Sequence, residues 1–212
     1  MIALVQTILA VLIRAITGVR RIDPRAVPEG PAVFFANHSS HLDTLVIWAA
    51  LPSAHRARLR PVAAADYWLR SRLRRFIAER VLNALMIARQ RSERSSDPVD
   101  DMAGALGSGA LLLIFPEGTR GRGAGVERFR GGLHALASRR PDATFVPIYL
   151  ENLSRVLPKG EAIPLPLIVR VCVGEPLVER PSALPREAWL EAARAAVIAL
   201  GPETIREELH HA

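Results

Sequence analysis

The residues of this chain best equipped for chemistry are His38 and Asp43, inside AVFFANHSSHLDTLVIWAA (residues 32–50), where one apolar run stops and another restarts. An imidazole with one free ring nitrogen is a natural general base near neutral pH, and a carboxylate on the other nitrogen fixes its tautomer and steadies the imidazolium. The proton removed would be that of a substrate hydroxyl. On one continuous helix, residues five positions apart would point about 140° away from each other. The pair can meet only if the helix starts between them, after a strand. The local pattern fits this layout. Ala32 to Ala36 is a short run suited to a buried strand, Leu42, Leu45, Val46 and Ala49 recur at helical spacing, and Ser39 or Ser40 can cap the helix. A second reading stands beside the first: Ser40 and Asp43 also fit the S-x-x-D capping pattern, which would leave His38 an ordinary turn histidine.

The second stretch with chemical content is FPEGTRGRGAG, directly after the apolar run ALLLIF that ends at Phe115. Glycines let the backbone approach a ligand, Arg120 and Arg122 offer guanidinium forks for phosphate, and Glu117 offers an acceptor to substrate hydroxyls. The spacing of a P-loop is absent. Arg128 and Arg130 precede Gly131, Gly132 and a helix, so further cations stand near a helix N-terminus suited to an anion. Arg89 ends the strand-like run Ala84 to Ala88, where a guanidinium can reach a phosphate or simply face solvent.

The elements that must position these groups alternate between the two periodicities. Further strands are expected at Val19 to Ile22, Arg58 to Ala64, Ala110 to Phe115, Thr144 to Leu150 and Leu167 to Val173. Pro61 argues for an edge strand, and Pro147 for a departure from regular pairing. Helices are expected over Asp66 to Leu82, Val99 to Leu106, Gly131 to Ser138, Pro185 to Leu200 and Pro202 to Leu209, with Trp189, Leu190, Ala193 and Val197 facing inward. The 212 residues, half of them hydrophobic and 23% charged, suit one globular domain over residues 18–212 preceded by a separate N-terminal helix. Residues 1–17 are apolar except for Gln6, Thr7, Arg14 and Thr17, which share an arc about 100° wide with Ala3 and Ala10. The stretch is too short for a span and lacks a basic leader, so it reads as a helix lying in one leaflet, with Arg14, Arg20 and Arg21 at headgroup level. An amphipathic helix packed on its own domain is the alternative.

The net charge of +7 is almost wholly arginine, since Lys159 is the single lysine. Such charge suits an anionic membrane surface or an acidic carrier. At 5% aromatic content, the stacking platforms for single-stranded nucleic acid are missing. The lone Cys172 excludes an internal disulfide and fits a core residue in a reducing compartment.

With both stretches in view, the chain resembles the phospholipid and glycerol acyltransferases that include the 1-acylglycerol-3-phosphate acyltransferases. NHSSHLD is similar to the family's NHxSxxD block, and Met86 to Arg89 to its second block. FPEGTRGR is similar to the third, with FRGG after it and Arg130 where the family often has lysine. Val146-Pro147-Ile148 is similar to the fourth. Four blocks in order favour the general-base reading of His38. The resemblance implies an α/β fold, with a mainly parallel sheet and helices on both faces. It also implies transfer of an acyl group from acyl-CoA or acyl carrier protein to a lysophospholipid, most readily 1-acylglycerol-3-phosphate, giving phosphatidic acid. His38 and Asp43 would be catalytic, and Arg89, Glu117, Gly118, Thr119, Arg120 and Arg130 would bind substrate. No metal or other cofactor is implied, and the location is the cytoplasmic face of a membrane. Two alternatives remain: a metal-dependent hydrolase using His38, His41 and Asp43, and a non-catalytic lipid-binding protein.

Overall fold

The structure is a computed structural model that describes residues 2–40, 42–88, 96–119, 125–151 and 169–203. Six strands form one sheet: β1 Ala32–Ala36, β2 Leu59–Ala64, β3 Leu85–Ile87, β4 Leu111–Ile114, β5 Thr144–Glu151 and β6 Arg170–Val173, in the order β3-β2-β4-β1-β5-β6. All neighbours run parallel except β5 and β6. The helices are α1 Ile2–Thr17, α2 Asp43–Ala50, α3 Ser53–Arg58, α4 Ala65–Trp68, α5 Arg72–Phe76, α6 Pro98–Gly107, α7 Gly132–Arg139 and α8 Arg186–Ile198.

The runs AVFFA and LLLI are buried at every position because both faces of the sheet are covered. Phe34, Leu111 and Leu113 pack with α1 and α2 on one face. Phe35, Leu112 and Ile114 pack with α6, α7 and α8 on the other, where Trp189, Leu190, Ala193 and Val197 of α8 all turn inward. β1 leads through α2 on the first face towards β2, whereas β4 leads through α7 on the second face towards β5. The connections from the two central neighbours therefore diverge, which opens a crevice beyond their carboxyl ends. His38 and Glu117 follow those two ends.

Several expectations need correction. Val19 to Ile22 is not a strand, although Val19 and Ile22 are buried in the first core. β2 is an interior strand: Leu59, Arg60 and Pro61 pair with β4, and Val62 to Ala64 with β3. Pro61 is tolerated there because it stands where the partner strand changes. Pro147 lies inside an unbroken β5 opposite Phe35, and its carbonyl accepts from the Gly174 amide at 2.9 Å, just past the end of β6. The helix expected over Asp66 to Leu82 is three pieces, α4, α5 and a π-helical turn Ile77–Val81. The break falls at Ser71, whose hydroxyl accepts from the Arg74 amide and starts α5 as a cap. Leu167 to Ile168 and most of the expected terminal helix lie outside the described residues. Cys172 is half-buried in β6, against the second core.

α1 is packed against the domain the opposite way round from a water-facing amphipathic helix. Ala10, Ile13 and Thr17 are buried against the first core, Gln6 donates to the Val81 carbonyl at 2.8 Å, and Arg14 donates to the Ala49 carbonyl at 2.8 Å. Arg14 thus turns inward to the end of α2, unlike the exposed Arg20 and Arg21. The large side chains Ile2, Leu4, Val5, Ile8, Val11, Leu12 and Ile16 face outward, with Leu4 65% exposed. Among the described residues, no helix is long and apolar enough to cross a membrane.

Candidate active site

α2 begins at Asp43, so a stretch of non-helical chain separates the end of β1 from the helix. Asn37, 7% exposed, anchors the start of that turn: its side-chain amide donates to the Leu150 carbonyl at 3.1 Å and its oxygen accepts from the Leu150 amide at 2.7 Å. The chain then reverses over Asp43, whose side chain is fully buried. Asp43 Oδ2 accepts from the amides of Ser39 at 2.7 Å and Ser40 at 3.0 Å, and lies 2.7 Å from His38 Nδ1. The expected Ser39 or Ser40 cap is corrected, since α2 has Leu42 at its N-cap and no side-chain cap, and of the capping pattern only the bonds from Asp43 to the preceding amides are present. A single carboxylate oxygen ties the backbone that precedes the helix and orients the imidazole. With Nδ1–H on the carboxylate, Nε2 is left to face a substrate. The ring, 23% exposed, stacks on Phe115 with centroids 4.3 Å apart and planes 20° apart.

Glu117 reaches back to the turn after β1. Its side chain is 4% exposed, and Oε1 accepts from the His38 amide at 2.8 Å, across 79 positions of sequence. Oε1 of Glu117 is thus committed to the turn that carries His38, which Asp43 also ties. Burial pushes the Glu117 carboxyl up to about 7. Acceptance from the His38 and Glu127 amides pulls it down, while the neighbouring Glu127 and Asp43 carboxylates push it up. A carboxyl raised in the folded state favours folding below the unfolded value, and that contribution is lost as pH rises towards 7. Glu117→Gln is therefore expected to flatten the fall in melting temperature over this window, measured by thermal denaturation against pH. The same slope in the Glu117→Gln protein as in the parent would contradict it.

Gly118 turns the chain after Glu117 at φ +74°, and a Cβ there would stand 2.5 Å from Arg130 Nε. The left-handed backbone favours glycine, and a Cβ would also push the Arg130 side chain aside. Arg130 donates through Nε to the Glu117 carbonyl at 3.0 Å, and its amide donates to the Pro116 carbonyl at 2.8 Å. Gly118→Ala is expected to destabilise by about 1–2 kcal/mol from backbone strain alone and to displace the Arg130 side chain. Denaturant unfolding measures the first effect and acceptor KM the second.

His38, Gly118, Thr119 and Arg130 line one cleft of about 580 Å³ at the crevice. Val62, Ile87, Met102 and Leu133 give it an apolar wall, while Thr119, Arg130 and the start of α7 give it a polar rim. The amides of His38, Ser39, Ser40 and Gly118 are all committed within the protein, so none of them is free for a developing oxyanion. Arg89, Arg120 and Arg122 lie outside the described residues, as does His41, the third donor of the metal alternative. Among the described residues, no three His, Cys, Asp or Glu side chains converge on one point. Asn37 and Phe115 are the site residues that motif reasoning passed over. Each opens one of the quoted blocks, NHSSHLD and FPEGTRGR, but was given no role there.

This geometry offers a carboxylate-held imidazole at the mouth of a part-apolar cleft, and the chain matches the Acyltransferase family over residues 18–151. The chain belongs to that family. A protein of Mycoplasma pneumoniae named as a probable 1-acyl-sn-glycerol-3-phosphate acyltransferase is 25% identical over 131 residues, which is 60% of this chain and 46% of that one. A Caenorhabditis elegans protein with the same enzyme name is 33% identical over 112 residues, 52% of this chain and 38% of that one. This chain thus spans under half the length of either curated relative. The crystal structure of PlsC, the 1-acyl-sn-glycerophosphate (LPA) acyltransferase of Thermotoga maritima, superposes with a TM-score of 0.66 at 16% identity, covering 95% of this chain and 78% of that one. That likeness shows the shared fold, a mainly parallel α/β sheet with helices on both faces and a helix at the N-terminus.

Proposed function

We propose that this acyltransferase moves a fatty acyl group from acyl-CoA or acyl carrier protein to the free hydroxyl of 1-acylglycerol-3-phosphate, giving phosphatidic acid. The observation that carries the proposal is the 2.7 Å contact between His38 Nδ1 and Asp43 beside the cleft. His38 Nε2 takes the hydroxyl proton as the oxygen attacks the thioester carbonyl. The tetrahedral intermediate collapses with cleavage of the C–S bond, and the proton passes from His38 to the leaving thiolate. The ester and the free thiol are the products, with no acyl group on the enzyme and no metal or other cofactor in the step. Arg130 and Thr119 on the rim, beside the N-terminus of α7, suit an acceptor phosphate. Arg89 and Arg120 are assigned to the same anion by their motif positions. The apolar wall suits an acyl chain.

We infer that the reaction takes place at an anionic membrane surface, on its cytoplasmic side. The outward apolar face of α1 supports the membrane contact, because seven large apolar side chains turned to water would be unfavourable, whereas one leaflet accommodates them. A panel of lysolipids assayed with each thioester donor tests the reading. Transfer to 1-acylglycerol-3-phosphate well above other acceptors is expected. Preference for a neutral lysolipid, or thioester hydrolysis without an acceptor, would overturn it.

A further inference from the structure

The exposed apolar surface does not end with α1. Leu69, Leu73 and Phe76 are 46%, 69% and 45% exposed. They lie in the segment that runs from the cleft to α1. Tyr67, Trp68 and Arg70 line the cleft beside His38, α5 follows after the Ser71 cap, and the π-helical turn ends at Val81, whose carbonyl holds Gln6 of α1. Scattered exposed hydrophobics are ordinary, but large side chains on adjoining elements mark a surface that meets something apolar.

The charge around them says what that is. Residues 65–82 carry five arginines, Arg70, Arg72, Arg74, Arg75 and Arg80, against two acids, Asp66 and Glu79. Arg74 lies over the Tyr67 ring at 4.7 Å, and Arg75 pairs with Glu79 at 2.9 Å. Apolar side chains interleaved with arginines match the boundary between acyl chains and anionic headgroups, where the guanidinium stem is buried and its head stays with phosphate.

We propose that α5 with the Leu69 turn is a second foot of the enzyme on an anionic lipid leaflet. Leu69, Leu73 and Phe76 enter the acyl region, and the arginines sit among the phosphates. The inference rests on the membrane reading of α1 and extends it. Because the foot continues directly from the cleft wall, the mouth of the cleft faces the bilayer. The acceptor then reaches His38 by lateral diffusion without leaving the lipid.

The test is cosedimentation of the full chain with vesicles of phosphatidylcholine alone or with phosphatidylglycerol added. It compares the parent, Leu73→Ser/Phe76→Ser in α5, and Ile8→Ser/Leu12→Ser in α1, each checked for an unchanged thermal melt. The α5 variant is expected to bind the anionic vesicles at least ~10-fold more weakly. Its turnover of vesicle-embedded lysophosphatidic acid should fall in parallel, while turnover of a short-chain, water-soluble lysophosphatidic acid is kept. Undiminished vesicle binding by the α5 variant, with loss confined to the α1 variant, overturns the second foot and leaves attachment through α1 standing. Equal loss of turnover with the soluble acceptor overturns it by showing that α5 shapes the cleft. Self-association of the parent that the α5 substitutions abolish, with vesicle binding intact, overturns it in favour of a second copy of the chain. Vesicle binding that needs both feet in a protein that transfers no acyl group supports the surface and removes the enzymatic reading.

Discussion

Replacing His38 with alanine is expected to lower kcat by about 10²–10⁴-fold, the usual loss when a positioned general base is removed. The loss should fall on kcat more than on the acceptor KM, because in the proposed mechanism the ring meets the reacting hydroxyl and the rim of the cleft holds the rest of the lipid. The fold should survive. The His38 side chain is 23% exposed, and its amide, which Glu117 holds, is untouched by the substitution. Parallel measurement of steady-state turnover and thermal denaturation separates the two effects. Turnover equal to that of the parent would remove His38 from the chemistry.

The second large effect is expected at Asp43. Its Oδ2 serves the imidazole and two backbone amides at once. Asparagine can still accept from the Ser39 and Ser40 amides, but its neutral amide cannot stabilise an imidazolium, and it sets no preference for the tautomer that leaves Nε2 free. Asp43→Asn should therefore lower kcat by roughly 10²–10⁴-fold with little change in acceptor KM. Alanine leaves both amides unpaired as well, and should add a destabilisation on the order of 1–3 kcal/mol for the buried Ser40 donor and less for the half-buried Ser39 donor. A variant pair in which alanine and asparagine lose equal stability would show that the carboxylate does not hold the turn.

Local patterning was enough for the parts of the fold that local physics decides. AVFFA and LLLI are strands because an unbroken apolar run of that length fits a sheet covered on both faces. The helix starts only at Asp43, whose carboxylate takes up the Ser39 and Ser40 amides before it, and that start is what brings His38 and Asp43 together. What spacing could not show was which face of an element finds which partner. The wheel of α1 separated small and polar residues from large apolar ones. Only tertiary packing decided that Ala10, Arg14 and Thr17 turn inward and Leu4 and Ile8 turn out. Glu117 looked like a ligand-facing acid in a glycine-rich loop, yet it meets the His38 amide from 79 positions away, a contact no local window contains. Pro61 suggested an edge, and the Ser71 cap was hidden inside an arginine-rich helical pattern. In both places one residue's side-chain or backbone bonding overrode the average of its neighbours.

On the proposed mechanism, the acyl group passes directly to a lipid hydroxyl deprotonated by a carboxylate-held imidazole. The amount of thiol released from acyl-CoA or acyl carrier protein against the amount of phosphatidic acid formed, by the parent and by His38→Ala, tests it most directly. One ester per thiol, no thiol release without 1-acylglycerol-3-phosphate, and a matching collapse of both products in the variant are predicted. Thiol released without an acceptor, or ester formed at the parent's rate in the absence of His38, would contradict it.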